Sequence, residues 1–530
     1  MSSSWLGELE VASIVAVTSS GVRVSDLITA LSLATDLGLG QPPEHMMRAA
    51  TLSMRIGRRL GLDDSDLATL YDVSVLTYVG CPVFGDEGAQ LFGDDIDFRA
   101  RALEVDLAGF PAMIFMLRRA GAGTGAVNRV RQSAALMGTG GRQVMQQMAN
   151  HCAAAGVLAD GLGLHPDVRV GIEQSYARWD GRGVPRELSG EGVSLAARIS
   201  QIAEAAEVLQ RAVGTDEAVD LIRARSGTQF DPRLVDVVDR HPEDLMRELD
   251  AVAQADVVDL EPVVRPPLDD DELDDALTAI GDFCDLRCSF FAGHAVGTAR
   301  LAEGAAIALG LDADDVRLVR RAALVHDVGR FGVPGQVWAT PGPLGRRDRE
   351  RMQLHSYYVE RIFSRPEPLR RVGLLAATHH ERLDGTGYHR HLPAPLLART
   401  ARLLAAADAF HAMTQHRPHR PARDEDAAAR ELRRDAASGR LDAESVEAVI
   451  ATATHRRVSA ASRPGGLTTR EIEVLRELCG GRANKAIAAR LGITTKTVGN
   501  HVEHIYTKLG VTNRASATLA ASRLGLLAQP

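Results

Sequence analysis

The sequence predicts an all-α protein with two tandem helical domains followed by a small C-terminal helical domain. Aromatic residues make up only 4% of the chain, whereas Ala, Leu, Arg and Glu, which favour helices, dominate long stretches. Residues 195–209 and 396–413 place apolar side chains at the i, i+3, i+4 spacing of amphipathic helices. The 530 residues also predict several domains, since one domain averages about 150 residues.

Composition excludes several classes of protein. A hydrophobic content of 45% with 25% charged residues is typical of a folded, soluble chain and not of a disordered one. The chain lacks an apolar run of membrane-spanning length and a secretory signal, so we expect a cytoplasmic protein with no membrane partner. Its five cysteines are scattered and never form a Cys-x-x-Cys pair, which argues against disulfides and a thiolate zinc site.

Lysine and positive charge are concentrated at the C-terminal end. The chain has 61 Lys and Arg residues, but its three lysines are Lys485, Lys496 and Lys508. No Gly-Lys pair is present, which excludes a P-loop. Six Arg and three Lys against four Glu give residues 464–530 a charge of +5, so the total of −8 leaves −13 for the rest. A basic module on an acidic body indicates a nucleic-acid partner for that module alone.

The two large segments resemble each other and indicate a tandem duplication. The segment that starts HMMRAATLSMRIGRRLGLD at His45 parallels HAVGTARLAEGAAIALGLD at His294, and ARWDGRGVP later parallels ERLDGTGYH. We therefore predict domains at 20–250 and 270–455, joined by a linker at 251–269. A second linker at 456–466 leads to the small domain at 467–527. The glycine-rich stretch at 121–141 lacks the strand context of a phosphate-binding loop, so it is predicted to be a surface loop.

Ten of the 17 histidines fall between residues 294 and 419. They include an adjacent His-Asp pair and a His doublet, a pattern that favours metal ligands over isolated core histidines. Imidazole and carboxylate groups without thiolate suit iron, manganese, zinc or nickel. Five His and two Asp exceed the ligand set of one ion and predict two metals bridged by one carboxylate, a site suited to phosphodiester hydrolysis. The candidates are His294, His326, Asp327, His355, His379, His380 and Asp408.

On these residues, segment 270–455 resembles an HD-GYP domain, a helical branch of the HD phosphohydrolase superfamily whose members hydrolyse cyclic di-GMP or related nucleotides. The resemblance implies two divalent transition-metal ions, iron, manganese or similar. Asp327 would bridge them, with His294, His326 and Asp408 on one ion and the other three histidines on the second. It also implies catalytic roles for Asp327 and Arg330, and a substrate loop that contains Asp384, Gly385, Gly387 and Tyr388.

Three positions depart from the HD-GYP pattern. Phe290 stands where some members have a glutamate for a third metal, so we expect two ions at most. Arg330 replaces the usual lysine three residues after the aspartate and can still face a phosphate. His389 replaces the proline of the Gly-Tyr-Pro motif, which affects the expected cyclic di-GMP specificity more than it affects metal binding.

The N-terminal copy lacks most of the metal ligands. Only His45 and Glu207 remain as ligand types, because the other positions are taken by Thr77, Tyr78, Ser175 and Tyr176. Two ligands cannot organise a dinuclear site. This half is predicted to bind no metal and to serve in pairing or sensing.

The C-terminal segment predicts a helix-turn-helix. Residues 484–491 and 495–509 form two helices around Gly492-Ile493-Thr494, and the second helix has an apolar inner stripe. The elements LTxRExEVL, NKxIAxxL, KTVxxH and KLGVxNR resemble the LuxR-type DNA-binding domain. That resemblance implies a recognition helix at 495–509 and dimerisation through the region after it. The candidate DNA-binding residues are Lys485, Thr495, Lys496, Thr497, Asn500, His501 and Lys508.

Two functions remain open at this stage. In the first, the chain is a transcriptional regulator with a working metal-dependent phosphodiesterase, and its partners are double-stranded DNA, a cyclic di-nucleotide or other phosphodiester, and a second copy of itself. In the second, the chain is a transcription factor without catalysis, whose helical domains only sense a ligand or mediate dimerisation.

Overall fold

The computed structural model describes residues 21–122, 125–139, 141–252, 257–364, 367–455, 465, 467–524 and 526–527. The chain is 69% helical, and these residues contain no β-strand, so the all-α prediction is confirmed. None of the helices in these ranges is long and apolar enough to span a membrane.

The N-terminal half is built from helices whose ends follow local sequence signals. Asp63 and Ser194 cap two of them by accepting backbone N–H groups, and Gly40, with a φ of 66°, ends another. The helices are α1 (Val24–Leu39), α2 (His45–Arg59), α3 (Asp64–Leu76), α4 (Gly85–Phe92), α5 (Asp95–Ala102), α6 (Gly109–Arg119), α7 (Ala126–Thr139), α8 (Arg142–Gly161), α9 (Pro166–Glu173), α10 (Leu195–Val213), α11 (Thr215–Ala224), α12 (Pro232–Arg240) and α13 (Pro242–Met246).

The prediction of a surface loop at 121–141 is wrong for most of that stretch. Residues 126–139 form α7, while residues 123–124 and 140 lie outside the described residues. Gly125 and Gly138 lie at the two ends of the helix, and the residues between them are mainly good helix formers. The prediction was wrong because it rested on the number of glycines, although no glycine interrupts the helical segment between the two ends.

The C-terminal half repeats the central packing of the N-terminal half. Its helices are α14 (Asp270–Asp285), α15 (His294–Ala308), α16 (Ala313–Val325), α17 (Gly335–Ala339), α18 (Arg346–Phe363), α19 (Arg370–Ala376), α20 (Arg399–Thr414), α21 (Glu425–Ala437) and α22 (Ala443–His455). Helices α2, α3 and α10 pack on one another, and α15, α16 and α20 do the same. This shared three-helix centre agrees with a tandem duplication.

The two halves share one continuous apolar core. Arg287 is fully buried between them and donates to the carbonyl oxygen of Pro82 at 2.5 Å and to Asp95 Oδ2 at 2.8 Å. It also donates to the carbonyl oxygen of Val333 at 2.6 Å. A buried ion pair of this kind is costly to break, because one charge is left without its partner. The halves are therefore joined by packing and by a buried charge.

The predicted linker at 251–269 packs against the N-terminal half over its second part. Arg265 donates to Asp72 at 2.8 and 3.0 Å and to Glu261 at 2.6 Å, and the N–H of Leu268 donates to the carbonyl of Val22. Asp72 is only 4% exposed, so Arg265 supplies the charge that its burial requires. Residues 253–256 and most of the predicted linker at 456–466 lie outside the described residues.

The small C-terminal domain has its own apolar core. Thr468 caps its first helix and forms a reciprocal capping box with Glu471. Gly492, with a φ of 66°, makes the tight turn between the second and third helices, as the sequence predicts. The helices are α23 (Thr469–Cys479), α24 (Asn484–Leu491), α25 (Thr495–Leu509) and α26 (Arg514–Arg523).

Candidate metal centre and DNA-binding surface

The fold brings the predicted metal ligands together in the C-terminal half. The imidazoles and carboxylates come from five separate places in the chain, and all but one of them are buried. They lie at the start of α15 (His294), directly after α16 (His326, Asp327), within α18 (His355), shortly after α19 (His379, His380) and within α20 (Asp408).

The carboxylate of Asp327 lies between two groups of histidines. Its Oδ2 atom is 3.4 Å from Nε2 of His294 and 3.0 Å from Nε2 of His326. Its Oδ1 atom is 3.7 Å from Nε2 of His355 and 3.8 Å from Nε2 of His379. Each oxygen therefore faces a different group, which is the arrangement that a bridging carboxylate requires.

Asp408 faces the first group and extends toward the second. Its Oδ1 atom is 3.0 Å from Nε2 of His294 and 3.6 Å from Nε2 of His326. Its Oδ2 atom lies 3.7 Å from Nδ1 of His380, whose side chain is 29% exposed. His380 therefore marks the side of the centre that opens to solvent.

Backbone carbonyls orient three of the imidazoles. Nδ1 of His326, His355 and His379 lies 2.7, 2.5 and 2.7 Å from the carbonyl oxygen three residues earlier in the chain. A carbonyl only accepts, so Nδ1 carries the proton and donates it. Nε2 then points toward Asp327, which is the orientation that metal-binding histidines adopt.

The buried setting keeps most of these imidazoles neutral. Burial lowers the pKa of His294 to about 4 and that of His355 to about 3, and it lowers the pKa of His379 well below its usual value. Burial also acts on His326, but the Asp327 carboxylate outweighs it and raises the pKa of His326 to about 10. A metal ion at that position would therefore displace a proton.

The donor set fits divalent transition-metal ions. Apart from their ion-pair contacts with each other, with the nearby histidines and with Arg330, the buried Nε2 of His326 and both carboxylate oxygens of Asp327 have no hydrogen-bond partner among the described residues. Buried polar atoms are rarely left in this state without an ion or water. Six of the predicted ligands fall into two groups whose ligand atoms lie within 4.8 Å of one another: one contains His294, His326 and Asp327, and the other contains His355, His379 and His380.

Arg330 lies directly beside the centre. Its guanidinium forms an ion pair with Asp327 and stacks over the ring of Phe291, 3.8 Å from the ring centre. Arg330 and His326 lower the pKa of Asp327 well below its usual value, more than burial raises it. The buried Nε and Nη1 atoms of Arg330 make no hydrogen bond to any described residue.

The predicted substrate loop contributes one ring to the centre. The Tyr388 ring lies 4.6 Å from the His380 ring and 6.4 Å from the His355 ring. Asp384 instead is exposed and accepts from the N–H and hydroxyl of Thr386 at 3.0 and 2.6 Å, so it shapes the loop and does not face the histidines. Gly385, with a φ of 73°, and Gly387, which would place a Cβ 2.6 Å from the backbone of Glu381, allow the loop its close turn.

His389 has a specific partner outside the centre. Its Nε2 atom lies 2.6 Å from a carboxylate oxygen of Glu360, which also forms an ion pair with Arg390. The backbone φ of His389 is 62°, a value that proline cannot adopt. The loop thus follows a different path here than a Gly-Tyr-Pro motif would allow.

Sequence reasoning missed His411. This buried residue lies three positions after Asp408 on α20, and its Nδ1 atom is 3.1 Å from Nδ1 of His294. His411 therefore orients the imidazole of His294 from behind, whereas Asp408 faces its other nitrogen. The i+3 spacing to Asp408 is the signal that could have identified it, because residues three apart share a helix face.

The predicted recognition helix, α25, presents most of its predicted DNA-binding residues to solvent. Thr495, Lys496 and Asn500 are exposed on α25, Thr497 and His501 are half-buried, and Lys485 is exposed on α24. The helix is capped by Thr494, which accepts the N–H of Thr497 at 3.1 Å. Lys508 differs from the others, because it forms an ion pair with Glu471 of its own domain at 2.6 Å.

Comparisons with known proteins match both the helical halves and the C-terminal domain. A family model described as an HD domain matches residues 138–234 and 279–445, one segment in each half. A model for bacterial regulatory proteins of the luxR family matches residues 466–521. The chain is 32% identical over 409 residues to the 3′3′-cGAMP-specific phosphodiesterase 3 of Vibrio cholerae serotype O1, a match that covers 75% of this chain and 88% of that one.

The chain belongs to the HD-domain family. It carries an HD phosphodiesterase domain fused to a LuxR-type DNA-binding domain.

Further relatives match parts of the chain. A cyclic di-GMP phosphodiesterase of Thermotoga maritima is 35% identical over 145 residues, which are 27% of this chain and 39% of that one. The solved structure of a cyclic GMP-AMP-specific phosphodiesterase of Vibrio cholerae matches with a TM-score of 0.54 and 26% identity, and covers 81% of this chain and 97% of that one. The transcriptional regulatory protein LnrK of Bacillus subtilis is 52% identical over 60 residues, 11% of this chain and 27% of that one.

The first HD copy replaces the metal centre with direct contacts between side chains. His45 Nδ1 lies 2.6 Å from Glu207, and Arg48 donates to the same carboxylate at 2.7 Å. The rings of Tyr78 and Tyr176 lie 5.3 Å apart, at the positions of Asp327 and His380 in the second copy. Among the described residues, this copy contains no group of three metal-ligating side chains.

The last helix of the LuxR-type domain packs onto the HD halves. Ala515 and Leu519, which are 1% and 5% exposed, join the apolar core of the HD halves. Ser522 donates to Asp282 Oδ1 of α14 at 2.8 Å in a buried contact. The opposite face of the same helix, with Ala517 and Ala521, packs into the core of its own domain. One helix thus connects the DNA-binding domain to the body.

Proposed function

We propose that the second HD domain hydrolyses the phosphodiester of a cyclic dinucleotide with two divalent transition-metal ions, iron, manganese or similar. The observation that carries this proposal is the position of Asp327, whose two oxygens face two separate histidine groups. Relatives named as phosphodiesterases for 3′3′-cGAMP and for cyclic di-GMP support the class of substrate. The proposed ligands are His294, His326, Asp327, His355, His379, His380 and Asp408.

The residues around the centre suggest how the chain binds and hydrolyses the substrate. When bound, the ions would lower the pKa of water and stabilise charge on the phosphoryl oxygens. Arg330 would donate its free N–H groups to a phosphoryl oxygen. Tyr388 would pack against the nucleotide at the open side, beside His380. In the overall reaction, water adds to phosphorus, the bond to one sugar oxygen breaks, and that oxygen takes a proton.

Metal analysis combined with a hydrolysis assay tests this proposal. Purified under anaerobic, metal-replete conditions, the wild type is expected to hold about two ions per chain and to linearise 3′3′-cGAMP or cyclic di-GMP. Asp327→Ala removes a group that faces both sets of histidines, so it should lose most of the metal and all hydrolysis. Asp426→Ala makes the same change at an exposed position of the same half and serves as control. A folded wild type that binds no metal would refute the proposal.

A second candidate function is ligand binding without turnover. His389, which bonds Glu360 at 2.6 Å, favours this alternative because it alters the loop that frames the substrate position. In that case the metal-loaded protein would bind a cyclic dinucleotide stoichiometrically and release it unchanged. Product analysis after prolonged incubation separates the two functions.

For the LuxR-type domain, we propose that two copies bind an inverted repeat in double-stranded DNA, with α25 in the major groove. The exposed Lys496 and Asn500 lie in its first two turns, where helix-turn-helix proteins contact bases. Lys485 would contact phosphate, and Lys508 would first have to leave Glu471. The face of α26 that now packs on the body would form the dimer, so DNA binding would require its release. Anisotropy titrations of the full chain at two salt concentrations test DNA binding itself.

A further inference from the structure

The first HD copy contains a cavity of about 800 Å³ beside its altered centre. The loop at 175–186 lines one wall, and its counterpart in the second copy is the proposed substrate loop. Helix α10, which corresponds to α20 of the metal centre, lines another wall. Helices α6, α7 and α8 close the remaining sides. The cavity therefore occupies the position in this copy that the substrate would occupy in the other.

The lining of this cavity is mainly apolar. It includes five methionines from α6, α7 and α8, together with leucine, valine and alanine side chains; the methionines are Met113, Met116, Met137, Met145 and Met148. Methionine is flexible and polarisable, so such a wall adapts to ligands of irregular shape. Cavities of roughly 300–1,000 Å³ with apolar walls and a few polar groups are typical of small-molecule sites.

The buried charge at the cavity does not favour a phosphorylated ligand. Arg178 is already paired with Asp106 and with Asp180, at 3.1 Å for the latter, and the other two lining arginines, Arg182 and Arg186, are exposed to solvent. Tyr78 and Tyr176 occupy the positions where the second copy has Asp327 and His380, so no metal ion is available to neutralise a phosphate. The chemistry of this wall thus differs from that of the proposed phosphodiesterase centre.

Of the buried polar side chains that line the cavity in the described part of the chain, Glu204 is the one with an atom that lacks a hydrogen-bond partner. Glu204 lines the cavity from α10, is only 4% exposed, and its Oε1 atom makes no hydrogen bond to any described residue. Nε2 of His45 lies 3.8 Å from that atom. Burial, together with the charge of Glu207, raises the pKa of Glu204 to about 8, so the carboxyl group is largely neutral at pH 7. A buried neutral carboxyl without a partner suits a neutral hydrogen-bonding group on a ligand.

Two of the lining methionines remain exposed to solvent. Met113 and Met137 are 45% and 61% exposed. Exposed apolar surface at the mouth of a cavity is characteristic of a binding site, because a ligand that covers it removes apolar area from water.

We propose that this cavity binds a largely apolar small molecule that carries one neutral hydrogen-bonding group, which Glu204 receives. The first HD copy thus binds a ligand whose chemical class differs from that of the ligand of the second copy. This inference does not depend on the phosphodiesterase proposal.

The full-length protein tests this proposal with the neutral fluorescent probe 1-N-phenylnaphthylamine. We expect one saturable site per chain with a blue-shifted emission. Ala112→Trp fills the cavity from a lining position that is 3% exposed, and Met113→Glu places a charge at its half-open mouth. Each should weaken probe binding at least tenfold. Met113→Glu alters an exposed position, so it stays informative if Ala112→Trp fails to fold.

Two controls separate this cavity from other apolar surfaces and from the metal centre. Phe110→Ala removes an exposed ring, 66% exposed, from the same helix without touching the cavity lining, and should leave binding unchanged. Asp327→Ala should also leave it unchanged, so failure here and failure of the phosphodiesterase proposal are distinguishable. Unsaturable binding, full binding by a folded Met113→Glu protein, or loss on Phe110→Ala would each overturn the proposal.

Discussion

Replacing Leu519 with alanine is expected to release the LuxR-type domain from the HD halves and to strengthen DNA binding. Leu519 is 5% exposed, and its side chain packs into the core of the body while Ala517 and Ala521 hold the opposite helix face in the DNA-binding domain. A buried Leu→Ala change costs about 2–5 kcal/mol. Because the lost contacts lie on the docked face, most of this cost falls on the docked state.

The size of the effect follows from that cost. At the lower figure of about 2 kcal/mol, the ratio of docked to released domain falls by roughly 30-fold. If docking competes with dimerisation, the apparent affinity of the full chain for an inverted-repeat DNA should rise by up to that factor. Fluorescence anisotropy with labelled DNA measures this, and sedimentation velocity shows whether the DNA-bound species contains two chains.

Two further variants protect this experiment against a folding artefact. Ser522→Ala removes only the contact with Asp282 and should raise the affinity by roughly fivefold, for a loss of about 1 kcal/mol. Leu524→Ala removes the same atoms as Leu519→Ala from a position that is 36% exposed, and should change little. If Leu519→Ala and Ser522→Ala both keep the wild-type affinity while the domain stays folded, docking does not oppose DNA binding.

Three other predictions follow from the same structure. If Asn500 makes a bidentate base contact, Asn500→Ala should change the preference between DNA sequences by about 1–3 kcal/mol. Lys485→Ala should instead weaken binding to all DNA sequences alike. Affinities for a panel of DNA sites measure both effects. Arg287→Leu should lower the free energy of unfolding by about 3–5 kcal/mol in urea melts, because it removes one of the two arginines that pair with the buried Asp95 and the donor to two buried carbonyl oxygens. As a control, Arg59→Leu breaks an ion pair in which the Arg59 side chain is 36% exposed. It should lower the free energy of unfolding by less than about 1 kcal/mol. His45→Ala should leave the metal content of the full chain unchanged; a fall would show that the first copy holds metal.

Local signals in the sequence determined much of the DNA-binding domain. The predicted bounds 484–491 and 495–509 are those of α24 and α25, because caps, a glycine turn and an apolar stripe all lie within 30 residues of one another. The same local reasoning failed at 121–141, where glycines at the ends of α7 suggested a loop. Lys508 also shows the limit of local sequence signals, because its ion pair with Glu471 joins residues that lie 37 positions apart in the chain.

The sequence by itself determined the all-α class, the family and the set of imidazoles and carboxylates that gather at the centre, because residue type and spacing carry helix propensity and ligand chemistry. Only the tertiary structure decided that the two oxygens of Asp327 face different histidine groups, that His411 stands behind His294, and that α26 packs on the body. These relations join residues more than 20 positions apart, and they depend on which helix faces pack together. Packing of that kind is a property of the whole core, which no local pattern encodes.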